Sequence, residues 1–227
     1  MELLDERWTM LVVRELVTGS HRFNDLRRGL PRMSPTLLSK RLSQLTRAGL
    51  VERQVDGSEV QYVLTPAGEE LQPIVEALGA WGVRWIGNLG EEDLDPSLLL
   101  WDMHRYVDRA SVPRGRTVLH FQFPDVAARS QRWWLVITDA EVDVCDTDPG
   151  HEVSVTVTVD LRCMTRIWRG DLSWSDAVGS GAMALHGPAT LRRAVPEWFT
   201  PSRFASVPRA PEYLPAPHGP GPRGSAP

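Results

Sequence analysis

Thr36, Lys40, Ser43 and Arg47 stand four, three and four residues apart, the spacing that brings side chains onto one face of an α-helix. Ser34, Ser39 and Arg41 are counted into the same surface, and Arg22, Arg27, Arg28 and Arg32 precede it. Hydroxyl groups can bond base edges, and guanidinium and ammonium groups neutralise phosphates, so the chemistry open to this set is recognition of a nucleic-acid duplex. Charge supports that chemistry. Residues 21–53 carry eight Lys or Arg against two acids, in a chain whose net charge is −4. Residues 91–160 have the opposite balance, fourteen acids against six bases. A solvated amphipathic helix is the plain alternative for any one of these residues.

The elements that must position this set are marked by punctuation. Leu4, Trp8, Leu11, Val12 and Leu16 predict a first helix closed by Gly19, and a short second helix is expected at residues 23–29. Ser34 sits where an N-cap belongs, with Pro35 at the first helical position, Leu38, Leu42 and Leu45 as the buried stripe, and Gly49 as the stop. Two extended runs, residues 50–55 and 59–64, flank Asp56-Gly57, a hairpin signal. Thr65-Pro66 restarts a helix in which Leu71, Ile74, Val75, Leu78, Trp81 and Trp85 share a face. Three helices, a hairpin and a helix form the order of a winged helix-turn-helix.

Residues 6–87 resemble the HxlR-type winged-helix transcriptional regulators of bacteria, through ERWTMLVVRELVTGSHRFNDLRRGLPRMSPTLLSKRLSQLTRAGLVER, YVLTPAGEEL and LGAWGVRW in that order. Low cysteine usage with no CxxC makes a reduced cytoplasm the expected compartment. The resemblance implies a homodimer bound to double-stranded DNA. Its recognition helix would span residues 34–48, and its dimer surface would come from the first and last helices, here Trp8, Leu78, Trp81 and Trp85. Many relatives carry a cysteine just before the first helix. Here the two cysteines, Cys145 and Cys163, lie in the second half, so thiol sensing is not carried over.

The expected organisation is a winged-helix domain at residues 1–88, a second domain at 94–207, and a tail from 208 to 227, rich in Pro and Gly and expected to be disordered. The second domain reads as a helix, a meander of strands, and further helices: an α+β fold with an antiparallel sheet and covering helices. Its segment IWRGDLSWSDAVGSGAMALHGPATLRRAV resembles the closing part of sterol-carrier-protein-like domains. That resemblance implies an apolar ligand between sheet and helices, with Trp101, Phe121, Phe123, Trp133 and Trp168 as candidate lining. The same aromatics serve equally as plain core of a structural module.

No GxSxG, HExxH or P-loop occurs, and the six His form no pair three or four apart, so no catalytic residue, metal or cofactor is expected. No run is apolar for long enough to span a membrane, and MELLDERW lacks the pattern of a secretory signal. A DNA-binding regulator, with an apolar effector as a further partner, is the expected function. The rival is a binder of lipids or other small apolar molecules whose first domain serves for pairing. Salt-sensitive, sequence-selective DNA binding separates the two.

Overall fold

A computed structural model describes residues 2–86 and 89–210. Ten α-helices and seven strands are assigned among them. The first half runs α1 (Glu2–Asp5), α2 (Thr9–Val17), α3 (Phe23–Gly29), α4 (Pro35–Arg47), β1 (Val51–Asp56), β2 (Glu59–Leu64), α5 (Pro66–Glu69) and α6 (Gln72–Trp85). Val12, Val13 and Leu16 of α2 pack with Leu26 of α3 and with Leu38, Leu42 and Leu45 of α4 in one core. Burial of each such side chain contributes roughly 1.5–3 kcal/mol. This core therefore fixes which face of α4 turns outward.

Three local expectations are corrected. The first helix is broken: Trp8 adopts φ 77°, between α1 and α2. A left-handed backbone at an L-residue disfavours a continuous helix, so the chain turns there. The hairpin is antiparallel with Asp56 paired to Glu59, which makes Gly57-Ser58 the two-residue loop in place of Asp56-Gly57. The fourth predicted helix also divides, into α5 and α6.

The second half continues with α7 (Pro96–Met103), β3 (Arg116–Gln122), β4 (Arg132–Thr138), β5 (Val142–Cys145), β6 (Val155–Val159), α8 (Leu161–Trp168), α9 (Trp174–Gly179), β7 (Met183–His186) and α10 (Ala189–Ala194). The five strands order as β5-β4-β3-β6-β7. β3 pairs with β6 in parallel, Leu119 opposite Val155, while the other pairs are antiparallel. The expected antiparallel meander is thus a mixed sheet, because the connection after β5 passes β4 and β3 before β6 joins. Leu119, Leu135, Val144 and Val155 fall on one face by register, and join Leu161, Met164 and Trp198 in a second core. The opposite face carries the row His186, Thr156, His120, Trp134 and Cys145, with His120 stacked on Trp134 at 4.8 Å.

The expected boundary at residue 88 and most of the expected tail, residues 211–227, lie outside the described residues. Phe199 and Thr200 stay with the second half, at Val107 and Tyr106, and residues 203–210 then reach back to the first half. The Arg203 guanidinium bonds Glu76 on α6 at 2.8 Å, and the Ala210 N–H donates to the Arg84 carbonyl at 2.9 Å. No described helix is long and apolar enough to cross a membrane.

Candidate nucleic-acid interface

Helix α4 is built as its sequence predicts. Ser34 Oγ accepts the Leu37 N–H at 3.3 Å, and Pro35 occupies the first turn, where no intrahelical donor is lost. With Leu38, Leu42 and Leu45 buried, Thr36, Ser39, Lys40, Ser43 and Arg47 are all exposed. Thr36, Ser39 and Lys40 make no side-chain hydrogen bond or ion pair among the described residues, and Arg47 Nε only returns to the Ser43 carbonyl at 3.3 Å. Five solvent-facing donors and acceptors on one side of a capped helix match what base edges and phosphates require. Ser34 belongs to this end of the helix, but its hydroxyl is engaged in the cap.

Arg41 does not share this face. Its side chain is buried: Nε donates to the Arg7 carbonyl at 3.1 Å, Nη1 to Gln44 Oε1 at 2.6 Å, and the guanidinium pairs with Glu6. It clamps α4 to the turn between α1 and α2. The spacing carried a signal, since Arg41 lies three residues after Leu38 and four before Leu45, on the buried stripe. Arg22 is exposed and bonds both carboxylate oxygens of Glu59 at 2.8 and 2.9 Å, which ties the start of α3 to the hairpin. Arg28 turns away from α4, to Asp143 at 2.6 Å and over the Trp101 ring at 5.2 Å, so it faces the second half. Arg27 is exposed at the end of α3.

A junction that the sequence did not reveal joins the halves. Glu15 on α2 is 1% exposed, and its carboxylate receives Arg105 at 2.5 Å, Arg14 at 2.8 Å, Ser20 Oγ at 3.2 Å and the Trp101 indole N–H at 3.4 Å. A Cβ on Gly29 would lie 1.8 Å from Glu15 Oε2, so only glycine lets α3 pass this close. Burial pushes the Glu15 carboxyl up, but Arg105 and Arg14 more than offset this and hold it below the ordinary range. The signal in the sequence was an acid at position 15 within the apolar stripe of Val12 and Leu16.

His104 beside this junction is pushed down to about 4, by burial first and then by the nearby Arg105 charge. Its ring packs on Trp101 at 4.1 Å. A depressed histidine is neutral in the fold, while the unfolded chain takes up a proton below about 6.5, so stability falls as pH drops through that window. Lowering the pH from about 6.5 to 5 should cost about 2 kcal/mol, and a lowered His120 acts in the same direction. Urea midpoints at several pH values check this: His104→Gln should flatten most of the slope, and an unchanged slope refutes the assignment.

Of the residues expected to pair two copies, Trp81 and Trp85 are 58% and 54% exposed, and Leu78 is exposed beside them. Trp8 instead is partly buried against the first core. The five residues expected to line a pocket inside the second half do not do so together. Phe121 and Phe123 are fully buried and stacked, Trp133 donates to the Ser130 carbonyl, and Trp101 faces Glu15. Phe121 and Phe123 belong to the second core, with Leu161, Met164 and Trp198 of the covering segments. A cleft of about 450 Å³ opens where the halves meet, and only Trp168 of the five lines it.

Among the described residues no group of His, Cys, Asp and Glu could hold a metal. Burial first, and acidic neighbours, push both the Cys145 and Cys163 thiols up, which keeps them protonated.

Residues 3–89 match the HxlR-like helix-turn-helix family. The chain is 35% identical over 102 residues to YvaP, an uncharacterized HTH-type transcriptional regulator of Bacillus subtilis, covering 44% of this chain and 87% of that one. The quinone-bound structure of YodB from B. subtilis is 36% identical and covers 36% of this chain and 87% of that chain, with a TM-score of 0.32. A sec-alkylsulfatase structure, PisA1, shares 16% identity over 48% of this chain and 17% of its own, with a TM-score of 0.41.

Proposed function

This chain belongs, through residues 3–89, to the HxlR-like helix-turn-helix family of transcriptional regulators, and we propose that it is a cytoplasmic, dimeric, DNA-binding regulator. The observation that carries the reading is the outward face of α4. There Thr36, Ser39, Lys40, Ser43 and Arg47 stand exposed on a helix whose opposite face is locked into the core. Arg22 and Arg27 lie on the approach to that helix, and Ser34 caps it. Dimerisation rests on α6 and the residue after it, where Ile74, Leu78, Trp81, Trp85 and Ile86 are large apolar side chains left exposed.

For residues 94–207 we propose a sterol-carrier-like module that serves as a structural platform for the reading head. The turn at Gly170-Asp171, the short α9, the β7 strand and the closing α10 support that assignment. The burial of Phe121 and Phe123 in the core supports platform over internal pocket, and the Glu15 junction supports a fixed mounting of the head.

Selection of bound fragments from genomic DNA, followed by footprinting and light scattering, tests the reading. A two-fold dimer should protect a near-palindrome with half-site centres about 34 Å apart, and its affinity should fall steeply with salt. A monomer at micromolar concentration would remove the dimer. Binding without sequence preference would leave the small-molecule binder as the better account.

A further inference from the structure

The cleft of about 450 Å³ has walls from both halves: α2 and α6 on one side, α7, α8 and residues 202–204 on the other. Its volume lies in the range of small-molecule sites. Leu11, Val75, Leu78, Leu98 and Phe204 give it an apolar body. The Phe204 ring fits against α6 because Gly79 has no side chain; a Cβ there would lie 2.4 Å from the ring.

The charges on the walls decide what this body accepts. Three arginines reach the cleft, and all three are engaged by the protein: Arg14 with Glu15 and the Gly29 carbonyl, Arg105 with Glu15 and Ser20, Arg203 with Glu76 and the Tyr106 hydroxyl. Five carboxylates face them: Glu15, Glu76, Asp93, Asp95 and Asp102. Asp102 receives the Trp168 indole N–H on one oxygen at 2.7 Å, and its other oxygen has only the loose approach of Arg105 at 3.7 Å. Glu76, Asp93 and Asp95 likewise each take their hydrogen bonds on a single oxygen. The cleft therefore offers spare acceptors and a net charge of −2 around an apolar interior. An anion such as a fatty acid meets repulsion there, and a neutral lipid leaves the acceptors unanswered.

We propose that this cleft is a binding site for lipophilic amines, in which the ammonium group meets Asp102 and neighbouring carboxylates and the hydrocarbon lies between α6 and α7. Because α2 packs on the buried face of α4, and α6 carries the exposed Trp81 and Trp85, the ligand bridges the elements that set recognition-helix spacing. Occupancy should then change operator affinity by about 5- to 150-fold. This coupling rests on the function proposed above; binding itself does not.

The test uses the full chain near neutral pH with three probes of one length, decylamine, 1-decanol and decanoate, followed by calorimetry and by quenching of Trp fluorescence. Decylamine should bind saturably, one per chain, at least about tenfold more tightly than the other two. Asp102→Asn should weaken decylamine by about tenfold and leave decanol unchanged, since the amide oxygen still accepts from Trp168. Leu98→Trp should exclude all three probes. Equal binding of the three, or decylamine binding indifferent to both substitutions, overturns the site. So does an affinity that falls as protein concentration rises, because a second copy would then occupy the cleft. DNA binding measured on the same samples without probe separates the two readings: its absence with amine binding intact sinks the regulator and leaves the cleft standing.

Discussion

Glu15→Ala should cost about 3–5 kcal/mol of folding stability, because it takes the close countercharge from the buried Arg105 guanidinium and leaves only Asp102 at 3.7 Å. Glu15 is the meeting point of four donors, and two of them, Arg105 and the Trp101 indole, come from the second half. Urea unfolding of the variant measures the loss directly. The double substitution Glu15→Leu with Arg105→Leu distinguishes a buried charge from simple packing. It removes both ions together and should recover most of the stability. A loss below about 1 kcal/mol for Glu15→Ala would show that the pair is solvated like a surface bridge.

Lys40→Ala with Arg47→Ala should weaken operator binding by about 10- to 100-fold at moderate salt. It should also lower the salt slope by about 1.8, since each lost phosphate contact removes about 0.9. Both side chains are exposed and neither supports the core, so unfolding should be unaffected. Thr36→Ala and Ser43→Ala should change the preferred sequence while leaving the slope in place. Arg41→Ala provides the contrast: the residue is 5% exposed and its guanidinium clamps Glu6 and the Arg7 carbonyl, so its loss should lower stability first. Equal slopes for all variants, with the fold intact, would remove α4 as the reading helix. Fluorescence anisotropy across a salt series measures these quantities.

How much of this was legible follows from how local the signals are. Ser34-Pro35, the Leu38, Leu42 and Leu45 stripe, and Gly49 act within a few residues of themselves, so α4 appears where it was expected, β7 with it, and the hairpin with its loop one residue later. The break at Trp8 was hidden, because Leu4, Trp8 and Leu11 keep helical spacing across it, while the clamp from Arg41 comes from more than thirty residues away. The parallel pairing of β3 with β6 was hidden for a related reason. Alternation in residues 152–160 identifies a strand but carries no information about its neighbour. The candidate interface was legible to the same extent: the exposed hydroxyls and Lys40 follow from the helical wheel, whereas Arg28 is drawn to Asp143 across a sequence gap of 115 residues. The aromatic residues misled because composition cannot tell a cavity lining from a plain core, and Phe121 and Phe123 are buried in the core.

The junction at Glu15 also sets an order in time. Most of the first core is built from contacts near in sequence, which form quickly, while Arg105 follows Glu15 by 90 residues. At synthesis rates of roughly 5–20 residues per second, that interval is about 5 to 20 s. During it Glu15 has only Arg14 and Ser20 as partners, and the surface that later meets α7 is open to water. The nascent reading head is therefore a different object from the mounted one, less stable by the share that Arg105 and Trp101 supply. A fragment ending before Trp101 stays permanently in that early state, so its behaviour describes the chain still leaving the ribosome.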